Sequence, residues 1–178
     1  MENYNVLPEV GMGEALRMGL ARVREFAGRS RRSEFWWFML VFLIVKWAVG
    51  FVLQLWSFKA DSVAECLLWL VPLALTVRRL HDSGHSGCWV YVSYVLGCAV
   101  QLLGTFSPVY DIVLRMGHTT TPDKVMKYVQ DPWFMSYTGI SLLWMLVSLV
   151  VIVMCCLDSQ KGANRYGESP KYVSNAEE

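Results

Sequence analysis

The chain has 178 residues, 54% of them apolar and 17% charged, with a formal charge of +1 and a mean hydropathy of +0.35. A soluble domain carries about a quarter charged residues. The deficit argues against a disordered chain, a disulfide-rich secreted mini-protein and a soluble globular enzyme.

In chain order, residues 1–34 form a polar arm. Within it, Leu16, Leu20, Val23 and Ala27 recur at helical spacing over 13–27, with Glu14, Arg17, Arg24 and Glu25 largely elsewhere. This pattern predicts an amphipathic helix, lying either in the headgroup layer or on the protein's own loops. Residues 28–33 break the pattern, and Phe35, Trp36, Trp37 and Phe38 then read as an aromatic belt.

A bilayer core about 30 Å thick needs roughly 20 apolar helical residues. Four segments meet or approach that length: 35–56, 62–77, 87–106 and 137–157. The first holds Lys46. The second is short and holds Glu65 and Pro72, and Arg78 and Arg79 can lengthen it by extending their stems to the headgroups. The third and fourth carry no charge. The fold class expected is all-α: a polytopic membrane protein with four transmembrane helices in 35–157, an N-terminal amphipathic helix and a tail at 158–178.

Ser93, Gly97, Gln101 and Gly104 share one face of the third span, while Ser141, Ser148 and Cys155 recur every seven residues in the fourth. Small residues let helix backbones approach closely, so these spans are expected either to be neighbours or to offer a dimer face. The connection at 108–136 is expected to hold one short helix at 122–133. The tail lacks an apolar face and reads as mobile. The five cysteines read as reduced packing residues.

Orientation follows from the bases. Arg17, Arg22, Arg24, Arg29, Arg31, Arg32, Arg78, Arg79, Lys161, Arg165 and Lys171 fall on one side, against Lys59, Arg115, Lys124 and Lys127 on the other. Both termini are therefore expected in the cytoplasm, with the first span acting as an uncleaved signal anchor.

Three stretches on that basic side stand together: Phe26-Ala-Gly-Arg-Ser-Arg-Arg-Ser-Glu-Phe-Trp-Trp, Arg78-Arg-Leu-His-Asp-Ser-Gly-His-Ser-Gly and Asn164-Arg-Tyr-Gly-Glu-Ser-Pro. In that order and spacing they resemble the bacterial inner-membrane family known as domain of unknown function 805, over about 26–170. The resemblance implies a small four-helix protein of the bacterial inner (plasma) membrane and brings no established activity.

The segment from Arg78 to Gly87 concentrates two guanidinium groups, two imidazoles and a carboxylate. Three readings compete. In the first, favoured, reading, Asp82 accepts hydrogen bonds from an arginine or from turn amides, Gly84 and Gly87 permit the reversal, and Ser86 caps the third span. In the second, Arg29, Arg31, Arg32, Arg78, Arg79, His81, Asp82 and Arg165 make a surface for anionic lipid headgroups or a protein partner. In the third, His81, Asp82 and His85 gather a metal, which is the weakest reading because no further ligand cluster exists. No metal, cofactor or nucleic-acid partner is expected, while a homo-oligomer stays open.

Within the membrane, Lys46, Glu65 and Gln101 are the polar residues that could line a solute path. The reading preferred over that is snorkelling of Lys46, with Glu65 at the water interface. The expected function is a non-enzymatic membrane protein whose basic face engages lipid or a partner; the alternatives are a small channel or transporter and a metal-dependent membrane enzyme.

Overall fold

The computed structural model describes residues 4–118 and 121–174. A short strand β1 (Tyr4–Val6) precedes α1 (Met12–Ala21) and the long α2 (Arg32–Trp56). Next come α3 (Phe58–Leu68), α4 (Leu70–Asp82), α5 (Cys88–Phe106), α6 (Val109–Gly117), α7 (Pro122–Val129), α8 (Pro132–Cys156) and strand β2 (Tyr172–Ser174). The stretches Arg32–Trp56, Lys59–Asp82, Cys88–Phe106 and Pro132–Cys156 are long and apolar enough to cross a bilayer. They pack as the expected four-span helical bundle.

Boundaries depart from expectation where side chains intervene. The second span does not stop at 77 but runs to Asp82, with a break at Trp69 between α3 and α4. Pro72 explains the break, since it has no N–H to offer the carbonyl one turn back. Arg78 and Arg79 are helical rather than part of a loop. The fourth span begins at Pro132 instead of 137, because Asp131 accepts from the amides of Trp133 (2.9 Å) and Phe134 (3.4 Å) and Pro132 suits the first turn. The 108–136 connection holds two helices, α6 and α7, rather than one. Val109 and Ile112 of α6 are buried against the bundle.

Helix α1 ends at Ala21, short of the expected 27, and lies on α2. A Cβ on Gly19 would stand 2.3 Å from the Phe38 ring, so only glycine allows this approach. Ala15 and Gly19 are buried while Met12 and Leu20 stay exposed.

The third and fourth spans are neighbours through their small residues. Ser93 Oγ and Ser148 Oγ are 2.9 Å apart, Gly97 lies under the Trp144 indole and Gly104 under the Tyr137 ring. All five cysteines are free thiols.

The apolar core joins Phe35, Phe38 and Phe42 of α2 to Leu75, Val77 and Leu80 of α4, Val90 of α5, and Val151 and Cys155 of α8. This core sits in the half of the bundle nearest the termini. There β1 and β2 pair antiparallel, Tyr4 opposite Ser174, so the two chain ends lie side by side. The tail read as mobile is thus folded over its described part, 158–174. Polar contacts hold it, which is why its lack of an apolar face misled.

Candidate functional site

At the terminal end of the bundle the chain buries an arginine–aspartate knot. Gly28, in the left-handed region at φ +89°, turns the chain from α1 toward Arg29. Arg29 places all five guanidinium donors on acceptors. Nε donates to Asp82 Oδ1 (3.0 Å), Nη1 to the carbonyls of Gly162 (2.9 Å) and Gly167 (3.2 Å), and Nη2 to those of Gln160 (2.6 Å) and Asp82 (3.3 Å).

Arg79, fully buried, approaches the same carboxylate from the other side. Its Nη1 donates to Asp82 Oδ2 and to the Ser30 carbonyl, Nε to the Cys155 carbonyl (3.0 Å) and Nη2 to the Leu157 carbonyl. Ser159 Oγ donates to Asp82 Oδ2 as well. Two guanidinium groups and one hydroxyl therefore converge on one buried carboxylate, the strongest class of protein hydrogen bond.

Arg78 points away from Asp82 and under the α1–α2 connection. It donates to Ser30 Oγ (3.1 Å) and to the carbonyls of Arg22 (2.7 Å) and Glu25. Its Nη2 faces the buried Glu34 Oε1 at 3.9 Å, near enough for attraction but outside hydrogen-bond range. Arg31 holds the N-terminal segment, donating to the carbonyls of Pro8 (2.5 Å) and Leu7 (3.4 Å).

His81 stacks face to face on Tyr166, ring centroids 3.6 Å apart, with Nδ1 3.2 Å from the Gly28 carbonyl. Asn164 Nδ2 donates to the His81 carbonyl (3.0 Å) and the Gln160 amide N–H to that of Asp82 (3.0 Å), so the tail closes over the end of α4. His85 turns to Ser83 Oγ (3.1 Å), apart from His81. Among the described residues no three His, Cys, Asp or Glu side chains converge as a metal site. Ser86 Oγ accepts from the Cys88 amide at the start of α5 (3.3 Å).

Arg29, Arg31, Arg78, Arg79, His81 and Asp82 are thus interior groups and not a surface, which corrects the picture of a basic floor open to headgroups. Only Arg32 and Arg165 of the expected set are exposed. Arg32 reaches the Cys156 carbonyl (3.2 Å) and Asp158 (3.4 Å), and Arg165 covers the Tyr166 ring. Ser30, Glu34, Ser159, Gln160, Asn164 and Tyr166 belong to the knot without having been singled out. Ser30 and Glu34 carried a sequence signal within the Phe26–Trp37 stretch, and Asn164 and Tyr166 within the Asn-Arg-Tyr-Gly stretch, whereas Ser159 and Gln160 carried none.

Outside the knot, Asp158 accepts from Lys171 Nζ at both oxygens (2.7 Å each) and from Tyr172 Oη (3.2 Å). The Lys171 ammonium, helped by the Ser159 amide and Arg32, holds the Asp158 carboxyl at about 2, against an ordinary 3.8. A depressed carboxylate stabilises above its unfolded value and loses that contribution as pH falls through its folded one. Protection from hydrogen exchange at Tyr172–Ser174, measured against the intrinsic rate at each pH, should therefore be constant above about pH 4 and fall between about 4 and 2, with Asp158→Asn removing the dependence. Because the carboxylate is half exposed, the effect is at most about 1 kcal/mol.

A second polar group lies in the other half of the bundle. Lys46 Nζ is 2.5 Å from Glu65 Oε1 and 5.8 Å from the Trp69 ring. This corrects the expectation of a snorkelling lysine and an interfacial glutamate. With the α2–α3 turn at Ser57, the two residues differ in depth by only about 4.5 Å. Gln101 is half-buried on α5, where its carbonyl accepts from Thr105 Oγ1 (2.9 Å), itself 2.6 Å from Ser62 Oγ.

Fold and knot together define a four-span helical membrane protein that binds its own two termini at one end of the bundle. The chain belongs to the DUF805 family, described as "Protein of unknown function (DUF805)", whose model matches residues 23–168. It is 26% identical over 153 residues to "Inner membrane protein YhaI" of Escherichia coli (strain K12), covering 84% of this chain and 89% of that one. It is 31% identical over 71 residues to "Inner membrane protein YhaH" of the same strain, covering 36% of this chain and 59% of that one. With "Uncharacterized protein YiiR" it shares 36% over 75 residues, 39% of this chain and 49% of that one. No solved structure matches the chain.

Proposed function

We propose that this is a non-enzymatic protein of the bacterial inner membrane, with both termini cytoplasmic, whose terminal face engages anionic lipid headgroups. The observation that carries the reading is a division among the bases. The knot consumes Arg29, Arg31, Arg78 and Arg79 internally, whereas Arg17, Arg24, Lys161 and Arg165 around it are exposed. Exposed Leu20, Trp36 and Trp37 accompany them at the same end, as an interfacial surface requires. The excess of bases on the terminal side supports the cytoplasmic orientation.

A transport role has less support. Passing from the Lys46–Glu65 pair toward the knot, the bundle interior presents Phe42, Leu75 and Val77, with the exposed Trp69 packed on Phe42, an apolar layer in which an ion would be costly.

Each base near an anionic surface contributes about 1 kcal/mol. Purified protein should retain phosphatidylglycerol above its share in the source membrane. Changing Arg17, Arg24, Lys161 and Arg165 together to Gln should return the bound lipid to that share, with the protein still folded. Unchanged enrichment in the fourfold variant would refute the reading.

A further inference from the structure

At the opposite end of the bundle, helices α6 and α7 split their residues by face. On α6, Val109 and Ile112 face the bundle, Tyr110, Val113 and Leu114 are exposed, and Asp111 and Arg115 fall together on the remaining arc of the helix. On α7, Pro122, Met126 and Val129 share one exposed side, and Asp123, Lys124 and Lys127 lie on the other. Two short helices built this way rest at the hydrocarbon boundary with their charges toward water.

Beneath α6 a groove of about 350 Å³ opens between α5 and α8. Its walls include Leu103, Val109, Trp133, Tyr137 and Ile140, with the hydroxyls of Ser107 and Ser136 among them. Those hydroxyls are committed to the backbone: Ser107 Oγ donates to the Leu103 carbonyl, and Ser136 Oγ to that of Pro132 (2.8 Å). The groove's lining is therefore mainly apolar, with the Trp133 indole N–H and the Tyr137 hydroxyl as its remaining polar groups. From Pro132 at the span boundary to Ile140 it reaches about 12 Å along α8. Exposed Leu102, Phe106 and Trp133 flank it, so its mouth is continuous with the lipid-facing surface of the spans.

An apolar cleft stays dry, and an empty one forfeits the dispersion contacts of its lining. In a bilayer the group that fills it is the surrounding solvent. We propose that this groove seats one acyl chain of a phospholipid from the leaflet opposite the termini, with α6 as its roof and α6–α7 lying in that leaflet's headgroup layer. The site is independent of the basic face at the other end, so either can fail without the other.

The test is photolabelling of the full-length protein in proteoliposomes, with phosphatidylethanolamine carrying a diazirine in its acyl chain. Per-residue labelling of 103–109 and 132–140 should exceed that of the exposed α2 flank at 43–52 about tenfold, the ratio that roughly 1.4 kcal/mol of preference produces. Leu103→Trp, which fills the groove, should erase the excess while labelling of α2 persists. Leu103→Ala, which widens it, should retain the excess. Equal labelling of groove and α2 in the wild-type protein, as for annular lipid alone, overturns the proposal, as does an excess that survives Leu103→Trp.

Discussion

Asp82→Ala is expected to lower the stability of the purified protein by about 3–5 kcal/mol, the range for breaking a buried ion pair from one side. The carboxylate receives Arg29 and Arg79, and side chains of all three are at most 1% exposed. Removing it leaves two guanidinium groups in a site they cannot leave, with only backbone dipoles against their charge. Ser159 loses its acceptor at the same time. Against a usual total of about 5–15 kcal/mol, this is roughly a fifth of the fold or more. Asp82→Asn, which keeps an oxygen acceptor but not the charge, should fall between Ala and wild type. The check is reversible denaturation in mixed micelles, and a loss under about 1 kcal/mol for Ala would show that the backbone carbonyls alone hold the two arginines.

The second large effect is expected at Lys46. Lys46→Met removes the partner of Glu65 inside the bundle, where an uncompensated charge costs roughly 2.5–3.5 kcal/mol. Glu65→Leu strands the ammonium by the same logic, while Trp69 gives it a cation–π contact that softens the loss. The double variant Lys46→Met, Glu65→Leu should recover to within about 1 kcal/mol of wild type, because apolar replacement of a buried pair is often neutral. A double-mutant cycle reads the coupling directly. Singles that sum to the double would mean that the pair contributes nothing.

The four spans were legible because apolar length is a property of contiguous residues, and so was the α5–α8 seam, marked by Ser93, Gly97, Gly104 and Ser148. The end of the second span was not. Hydropathy stops at 77, and the helix continues through Arg78 and Arg79 only because carbonyls of Arg22, Glu25, Cys155 and Leu157 receive them. Those acceptors are backbone atoms, which every residue has and no sequence pattern reports. For the same reason the tail seemed structureless: it contributes the carbonyls of Gln160, Gly162 and Gly167 to Arg29. Within the Arg-Arg-Leu-His-Asp stretch, Asp82 accepts from arginine, as its local sequence suggested. The partners of the other residues lie too far along the chain to be inferred from it.

The knot also orders the making of the protein. Arg29 and Arg79 are synthesised long before Cys155, Leu157, Gln160, Gly162 and Gly167, whose carbonyls complete their shells. A nascent chain halted before Cys155 therefore lacks these five acceptors, and its two guanidinium groups keep only Asp82 and the Ser30 carbonyl.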